Sequence, residues 1–243
     1  MKKNIVILTN GLSGSSVTTG LLSRAGYWTG DRTFAKKDYN TNENSELIKL
    51  NNTIMRELGY TDDYTQRFSR EAIAMIANRS GELDPTPYRE FLERCNANQP
   101  WVWKDPRLWL TIRFWKHILD IENTQFILVS RDYQQIWISE LHRRDIISPA
   151  YSRAYNEGIR RALLNFFEDN KLEYFDLWYE DLIVKPERTI ARLNAYLDTQ
   201  LSVDDLRKDF RGELYKKPRG FKDWLTAWAI YLKNYHLRNH CQT

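Results

Sequence analysis

Residues 4–22 read NIVILTNGLSGSSVTTGLL. Four apolar residues, Ile5, Val6, Ile7 and Leu8, form a short unbroken run suited to a buried strand. The run stops at a loop of small residues containing Asn10, Gly11, Ser13, Gly14, Ser15 and Ser16, and helical apolar spacing follows with Val17, Leu21 and Leu22. A strand, a tight loop and a helix in that order aim unpaired backbone N–H groups and hydroxyls at one point. The helix dipole adds partial positive charge there, so the expected ligand is a phosphate or sulfate. A Walker A loop would end in Lys followed by Ser or Thr. Here the loop ends Ser15-Ser16-Val17-Thr18, which argues against an ordinary ATPase or GTPase.

Three further apolar runs read as buried strands: Trp101–Trp103, Phe126–Val129 and Tyr174–Trp178. Helical spacing marks Ser45–Leu58, Arg67–Ala77, Tyr88–Cys95, Leu108–Leu119, Tyr133–Leu141, Ser152–Phe167, Pro186–Leu197 and Phe221–Tyr235. Strands alternating with helices predict an α/β fold with a central parallel sheet flanked by helices. No Pro/Gly/Ser-rich linker, repeat or low-complexity tract divides the sequence, so residues 1–243 are expected to form a single domain.

The net charge of +4, from 36 basic and 32 acidic residues, suits an anionic ligand but not a nucleic-acid surface. Trp, Tyr and Phe number 9, 14 and 10, enough to build a core and line a cleft for a nucleobase or sugar. Cys95 and Cys241 lie far apart without metal-ligand spacing, which excludes a disulfide framework and points to a reducing, cytoplasmic setting. The apolar run after Met1-Lys2-Lys3 is too short for a signal peptide, and no segment has the length of a membrane span. No cluster of His, Cys and carboxylates suggests a metal.

Functional groups in open parallel sheets gather at the carboxyl ends of the strands. Arg131 follows the third run and Ser139 lies eight positions later, offering a guanidinium fork and a hydroxyl to a phosphate. Trp103-Lys104-Asp105-Pro106-Arg107 carries three charges out of the second run, a costly placement unless they pair or face a cleft. The fourth run ends at Tyr179-Glu180-Asp181.

Taken together these segments resemble the sulfotransferases that use 3′-phosphoadenosine 5′-phosphosulfate (PAPS). Ser13-Gly14-Ser15-Ser16 with Gly20-Leu21-Leu22 is similar to the family's 5′-phosphosulfate loop. Arg131 to Ser139 is similar to its 3′-phosphate motif, Trp103–Arg107 to the WKDPR segment of bacterial-type members, and Tyr179–Leu182 with Lys185-Pro186-Glu187 to its YEDL…P-E segment. Leu12 stands where the family's loop normally carries Lys or Arg, and Tyr133 where Pro normally follows Arg-Asp. The resemblance implies a P-loop-NTPase-like sulfotransferase fold and transfer of a sulfuryl group to a hydroxyl or amine, with no metal and with adenosine 3′,5′-bisphosphate released.

In that frame Ser13, Gly14, Ser15 and Ser16 would hold the 5′ end of the donor, and Arg131 and Ser139 its 3′-phosphate. Tyr179 would lie near the adenine, and a C-terminal loop, Lys216-Lys217-Pro218-Arg219-Gly220, would close over the 3′-phosphate, with Arg211-Gly212 as a second choice. Lys104 would replace the cation missing at Leu12, with Arg107 behind it. Glu43 is the first choice for the base and Asp105 the second; His142 stands close enough in sequence to Ser139 to reach the acceptor. The expected acceptor is a small molecule or carbohydrate. Two other classes stay open: a P-loop phosphotransferase or nucleotide kinase, and a nucleotide- or glycan-binding protein without activity.

Overall fold

In the computed structural model, which describes residues 2–35, 40–60, 68–209 and 220–237, the first run is strand β1 (Asn4–Leu8), followed by helix α1 (Ser15–Arg24). A small antiparallel hairpin comes next, β2 (Thr33–Ala35) and β3 (Asn40–Asn44). Helices α2 (Ser45–Glu57), α3 (Arg70–Arg79) and α4 (Thr86–Asn96) then lead to β4 (Val102–Lys104) and α5 (Leu108–Trp115). Strand β5 (Thr124–Ser130), helices α6 (Tyr133–His142) and α7 (Pro149–Asp169), and strand β6 (Tyr174–Trp178) follow. The rest is helical: α8 (Tyr179–Val184), α9 (Pro186–Leu197), α10 (Val203–Asp209) and α11 (Phe221–Lys233).

All four expected strands join one sheet in the order β4-β1-β5-β6, and every pairing is parallel. Three elements carry no signal that periodicity detects: the polar hairpin β2–β3 and the short helices α8 and α10. Helix α3 begins at Arg70 because the Ser69 side chain accepts from Ala72 N–H and caps it. Helix α5 ends at Trp115, four residues before the apolar pattern does. Helix α7 starts three residues before the expected Ser152, with Pro149 in its first turn and the Ser148 hydroxyl accepting from Tyr151 N–H.

Successive residues of a strand face opposite sides of the sheet, and that alternation sorts the core into two layers. Val6, Leu8, Trp101, Trp103, Phe126 and Leu128 pack with α2, α3, α4, α5 and α7. Ile5, Ile7, Val102, Ile127, Val129 and Leu177 pack with α1 and α9. Both faces are covered, so the strands read as unbroken apolar runs rather than alternating ones. From β1 the chain crosses to β4 on one side, then returns past β1 to β5 on the other. The loop after β1 therefore opens at the point where the strand order reverses, the usual place for a ligand crevice.

Candidate functional site

The loop between β1 and α1 turns through three left-handed residues, Gly11 (φ 81°), Leu12 (φ 51°) and Gly14 (φ 82°). Gly14 is the N-cap of α1, and the first intrahelical bonds run from Val17 and Thr18 N–H to its carbonyl. The amides of Ser15 and Ser16 precede those bonds and open on the helix N-terminus. A Cβ on Gly14 would lie 2.0 Å from the Tyr179 ring, so only glycine lets the loop pass beneath that ring. Inside the loop the hydroxyls of Thr9 and Ser13 share a hydrogen bond, and Asn10 Nδ2 donates to Asn156 Oδ1 on α7.

Strand parity decides which charged groups reach this loop. Lys104 has the parity of Val102 and points to the α1 side; Asp105, the next residue, turns to the α2 and α5 side. Lys104 is 1% exposed, and its Nζ donates to Ser16 Oγ (3.1 Å) and to Glu43 Oε1 (2.6 Å). Glu43 lies on β3, with Phe34 opposite it across the hairpin, and Asn42 Nδ2 donates to Ser16 O at 3.4 Å. The hairpin therefore delivers a carboxylate to a buried lysine at the helix N-terminus. A charge this deep is retained only when paired and hydrogen-bonded, as Lys104 is.

Asp105 is fully buried and both its oxygens are in use. Oδ2 accepts from Asn51 Nδ2 (2.7 Å), and Oδ1 accepts from the Arg107 backbone N–H (3.1 Å) and Nη1 (2.8 Å). Arg107 Nε donates to Asn52. The second candidates for base and cation thus form a bond network with α2 and do not join Lys104 and Glu43.

Arg131 has the parity of Val129 and leans over the α1 side of the sheet. Its Nη1 donates to Leu12 O (3.0 Å) and lies 3.4 Å from Ser139 Oγ, which itself donates to Gln135 O. The guanidinium sits 5.2 Å over the Tyr179 ring, a cation–π contact, and its Nε lies 3.7 Å from Glu180 Oε1. Burial holds the Glu180 carboxyl above the usual range, opposed by backbone N–H bonds including that of Asp132 and by Arg131. Loop, arginine, serine and tyrosine are therefore one contiguous set, joined through Leu12 O and the Tyr179 ring.

The opposite parity places Ser130 and Asp176 on the α7 side, where Arg160 binds both and packs over the Trp178 ring. There a narrow cleft runs between the loop and α7, lined by Asn10, Ser130, Tyr133, Asn156 and Arg160 among others. No sequence signal marks Asn51 or Asn156 as part of this neighbourhood, because amides leave no periodic pattern. Gly220 is exposed at the start of α11, and Arg219, with the rest of the proposed C-terminal loop, lies outside the described residues. Among the described residues no group of His, Cys, Asp and Glu could hold a metal, and no helix is long and apolar enough to cross a membrane.

No family model and no curated protein matches the sequence. Solved structures do resemble it. The sulfotransferase domain from the curacin biosynthetic pathway superposes with a TM-score of 0.53 at 19% identity, covering 92% of this chain and 82% of that one. The sulfotransferase domain from the Synechococcus PCC 7002 olefin synthase gives 0.48 at 16% identity, over 93% of this chain and 84% of that one. Sulfotransferase STF9 from Mycobacterium avium gives 0.47 at 13% identity, over 96% and 76%. With its parallel sheet in the order β4-β1-β5-β6 and its glycine loop at the switch point, the chain has the sulfotransferase fold.

Proposed function

We propose that the protein is a PAPS-dependent sulfotransferase acting on a hydroxyl or amine of a small-molecule or carbohydrate acceptor in the cytoplasm. The observation that carries this is the position of Lys104: buried, 3.1 Å from Ser16 Oγ at the N-terminus of α1, and 2.6 Å from the Glu43 carboxylate. A loop without its own basic residue thereby has a cation brought in by the neighbouring strand. The residues present suit the donor: left-handed glycines free the amides of Ser15 and Ser16 for a phosphosulfate. Arg131 would supply guanidinium donors for a second phosphate, with the Ser139 hydroxyl beside it. When bound, PAPS supplies an activated sulfuryl group whose sulfur–oxygen bond to phosphate breaks as the acceptor oxygen or nitrogen bonds to sulfur.

This chain's residues then have two tasks. Lys104, the Ser16 hydroxyl and the α1 amides would stabilise the negative charge that sulfuryl transfer leaves on the phosphate oxygen. The acceptor's proton must leave, and Glu43 is the carboxylate at hand to take it. Without ligand, Lys104 and Glu43 neutralise each other. An anion at the loop competes for the lysine and leaves Glu43 free to act as a base. Asp105, saturated by Asn51 and Arg107, serves instead to hold the start of α5.

Calorimetry with adenosine 3′,5′-bisphosphate and with ATP tests the donor class. Binding of the bisphosphate is expected; binding of ATP but not of the bisphosphate overturns the proposal. Once a labelled-PAPS screen has found an acceptor, Lys104→Ala is expected to lower turnover by roughly 10²–10³-fold. Full turnover in that variant removes Lys104 from the mechanism.

A further inference from the structure

A line of buried polar side chains runs from α6 across α7 to the first residues of the anion loop. Glu140, Ser152 and Asn156 are 8%, 0% and 2% exposed. Ser152 Oγ donates to Glu140 Oε2 at 2.7 Å. Asn156 Nδ2 donates to Ser152 O at 2.7 Å and lies 3.5 Å from Ser152 Oγ, while its Oδ1 accepts from Asn10 Nδ2. Among the described residues the Ser152 hydroxyl is the hydrogen-bond partner of the Glu140 carboxyl, and no cation forms an ion pair with it. A carboxyl so placed costs stability in its ionised form. Glutamine would fill the same volume.

We propose that Glu140 is a positioning residue for the anion loop: its carboxylate orients Ser152 and Asn156, which hold Asn10 and so fix the loop in the form that receives an anion. An ionised carboxyl only accepts, so the Ser152 hydroxyl must donate to it and offers its lone pairs to Asn156 N–H. The Asn156 amide, held at Nδ2 by the Ser152 carbonyl and by this second contact to the hydroxyl, turns its oxygen toward Asn10. Protonated Glu140 can donate as well as accept, so the Ser152 hydroxyl is no longer required to donate to it, and the lone pair offered to Asn156 Nδ2 is no longer fixed.

Burial pushes the Glu140 carboxyl up to about 7, with Asp145 acting the same way and the Ser152 bond and Arg143 opposing. Helix α7 presents Ser152 to it, and α11 packs on α6 through Trp224, Trp228 and Tyr231, of which Tyr231 is titratable. Because the folded-state value is raised, the protein loses stability as pH rises from the ordinary carboxylate range through about 7. Above that range Glu140→Gln is therefore expected to be at least as stable as the parent, so a weaker ligand affinity in the variant reports positioning rather than unfolding.

The ligand arm of the test rests on the proposed sulfotransferase function; a second arm does not. The dissociation constant for adenosine 3′,5′-bisphosphate is measured for the parent and Glu140→Gln from pH 6 to pH 8, and the ratio of the two cancels the titration of the ligand's own phosphates. The expected ratio is near one at pH 6 and favours the parent by about fivefold at pH 8, the scale of one net hydrogen bond. Ser152→Ala should lose the same advantage. A ratio that does not change with pH, or parent-like affinity in Ser152→Ala, overturns the proposal. If the parent does not bind the bisphosphate, the donor assignment fails, and amide exchange of residues 10–16 in the free protein decides the relay. Slower exchange in the parent than in Glu140→Gln at pH 8 supports it, and equal exchange overturns it.

Discussion

Gly14 joins two constraints that no other residue satisfies together: a left-handed φ of 82° and an aromatic ring where a Cβ would go. Gly14→Ala is expected to cost about 1–2 kcal/mol for the backbone alone, and the Tyr179 ring must also move. Since that ring carries Arg131, the variant should lose bisphosphate affinity as well as thermal stability, measured by calorimetry and thermal melting. Unchanged affinity would separate the ring from the ligand site. Lys104 and Asp105 teach the complementary lesson. They are adjacent and both buried, yet one faces Ser16 and the other Asn51, because consecutive residues leave a strand on opposite sides. Counting alternate residues from the apolar Val102 is enough to separate their roles.

At the scale of elements, the hairpin β2–β3 is what completes the candidate site. Its strands read TFA and NTNEN, without apolar alternation, so no period announces them. Glu43 lies two residues before α2, which begins after Asn44 as its spacing predicts, the Asn44 side chain accepting from Glu46 and Leu47 N–H. Asn44 thus ends the strand and caps α2, fixing where Glu43 stops. Asn44→Ala is expected to cost about 1 kcal/mol of stability through the lost cap. If Glu43 is the base, turnover should fall further than donor affinity does. Steady-state kinetics beside a thermal melt would detect both; loss of stability with unchanged turnover would show that the hairpin holds Glu43 without the cap.

Across the whole molecule, Asn51 ties the α2 layer to the sheet. Its Nδ2 donates to Asp105, and its Oδ1 accepts from the Thr111 hydroxyl (2.8 Å) and the Trp115 indole N–H (2.8 Å). One amide therefore satisfies a buried carboxylate from the end of β4 and two donors from α5. Asn51→Leu keeps comparable volume but leaves Asp105 Oδ2 and the Trp115 indole N–H without the amide, while Asp105 Oδ1 keeps Arg107 and Thr111 keeps Arg107 O, at a cost of about 1–3 kcal/mol for each buried group left unsatisfied. Chemical denaturation checks this, and a loss below about 1 kcal/mol, the net worth of one hydrogen bond, would mean that water or Arg107 takes the amide's place. Arg113 makes a similar link on the other side, bonding Trp109 O within α5 and Ala162 O on α7; burial pushes its guanidinium down to about 10.

The sequence by itself determined the sheet strands, the glycine loop, the Arg131–Ser139 spacing and the absence of a Walker lysine, because each is local. Buried strands announce themselves as apolar runs, and a loop needing left-handed residues announces itself in glycine. Only the tertiary structure decided that Lys104 meets Glu43 and Ser16, that Asp105 is consumed by Asn51 and Arg107, and that Glu140 reaches the loop through Ser152 and Asn156. Most of those pairings join residues far apart in the chain through polar side chains. Hydrogen bonds of that kind have no period in sequence, and they exist only once the sheet has set which face each residue leaves.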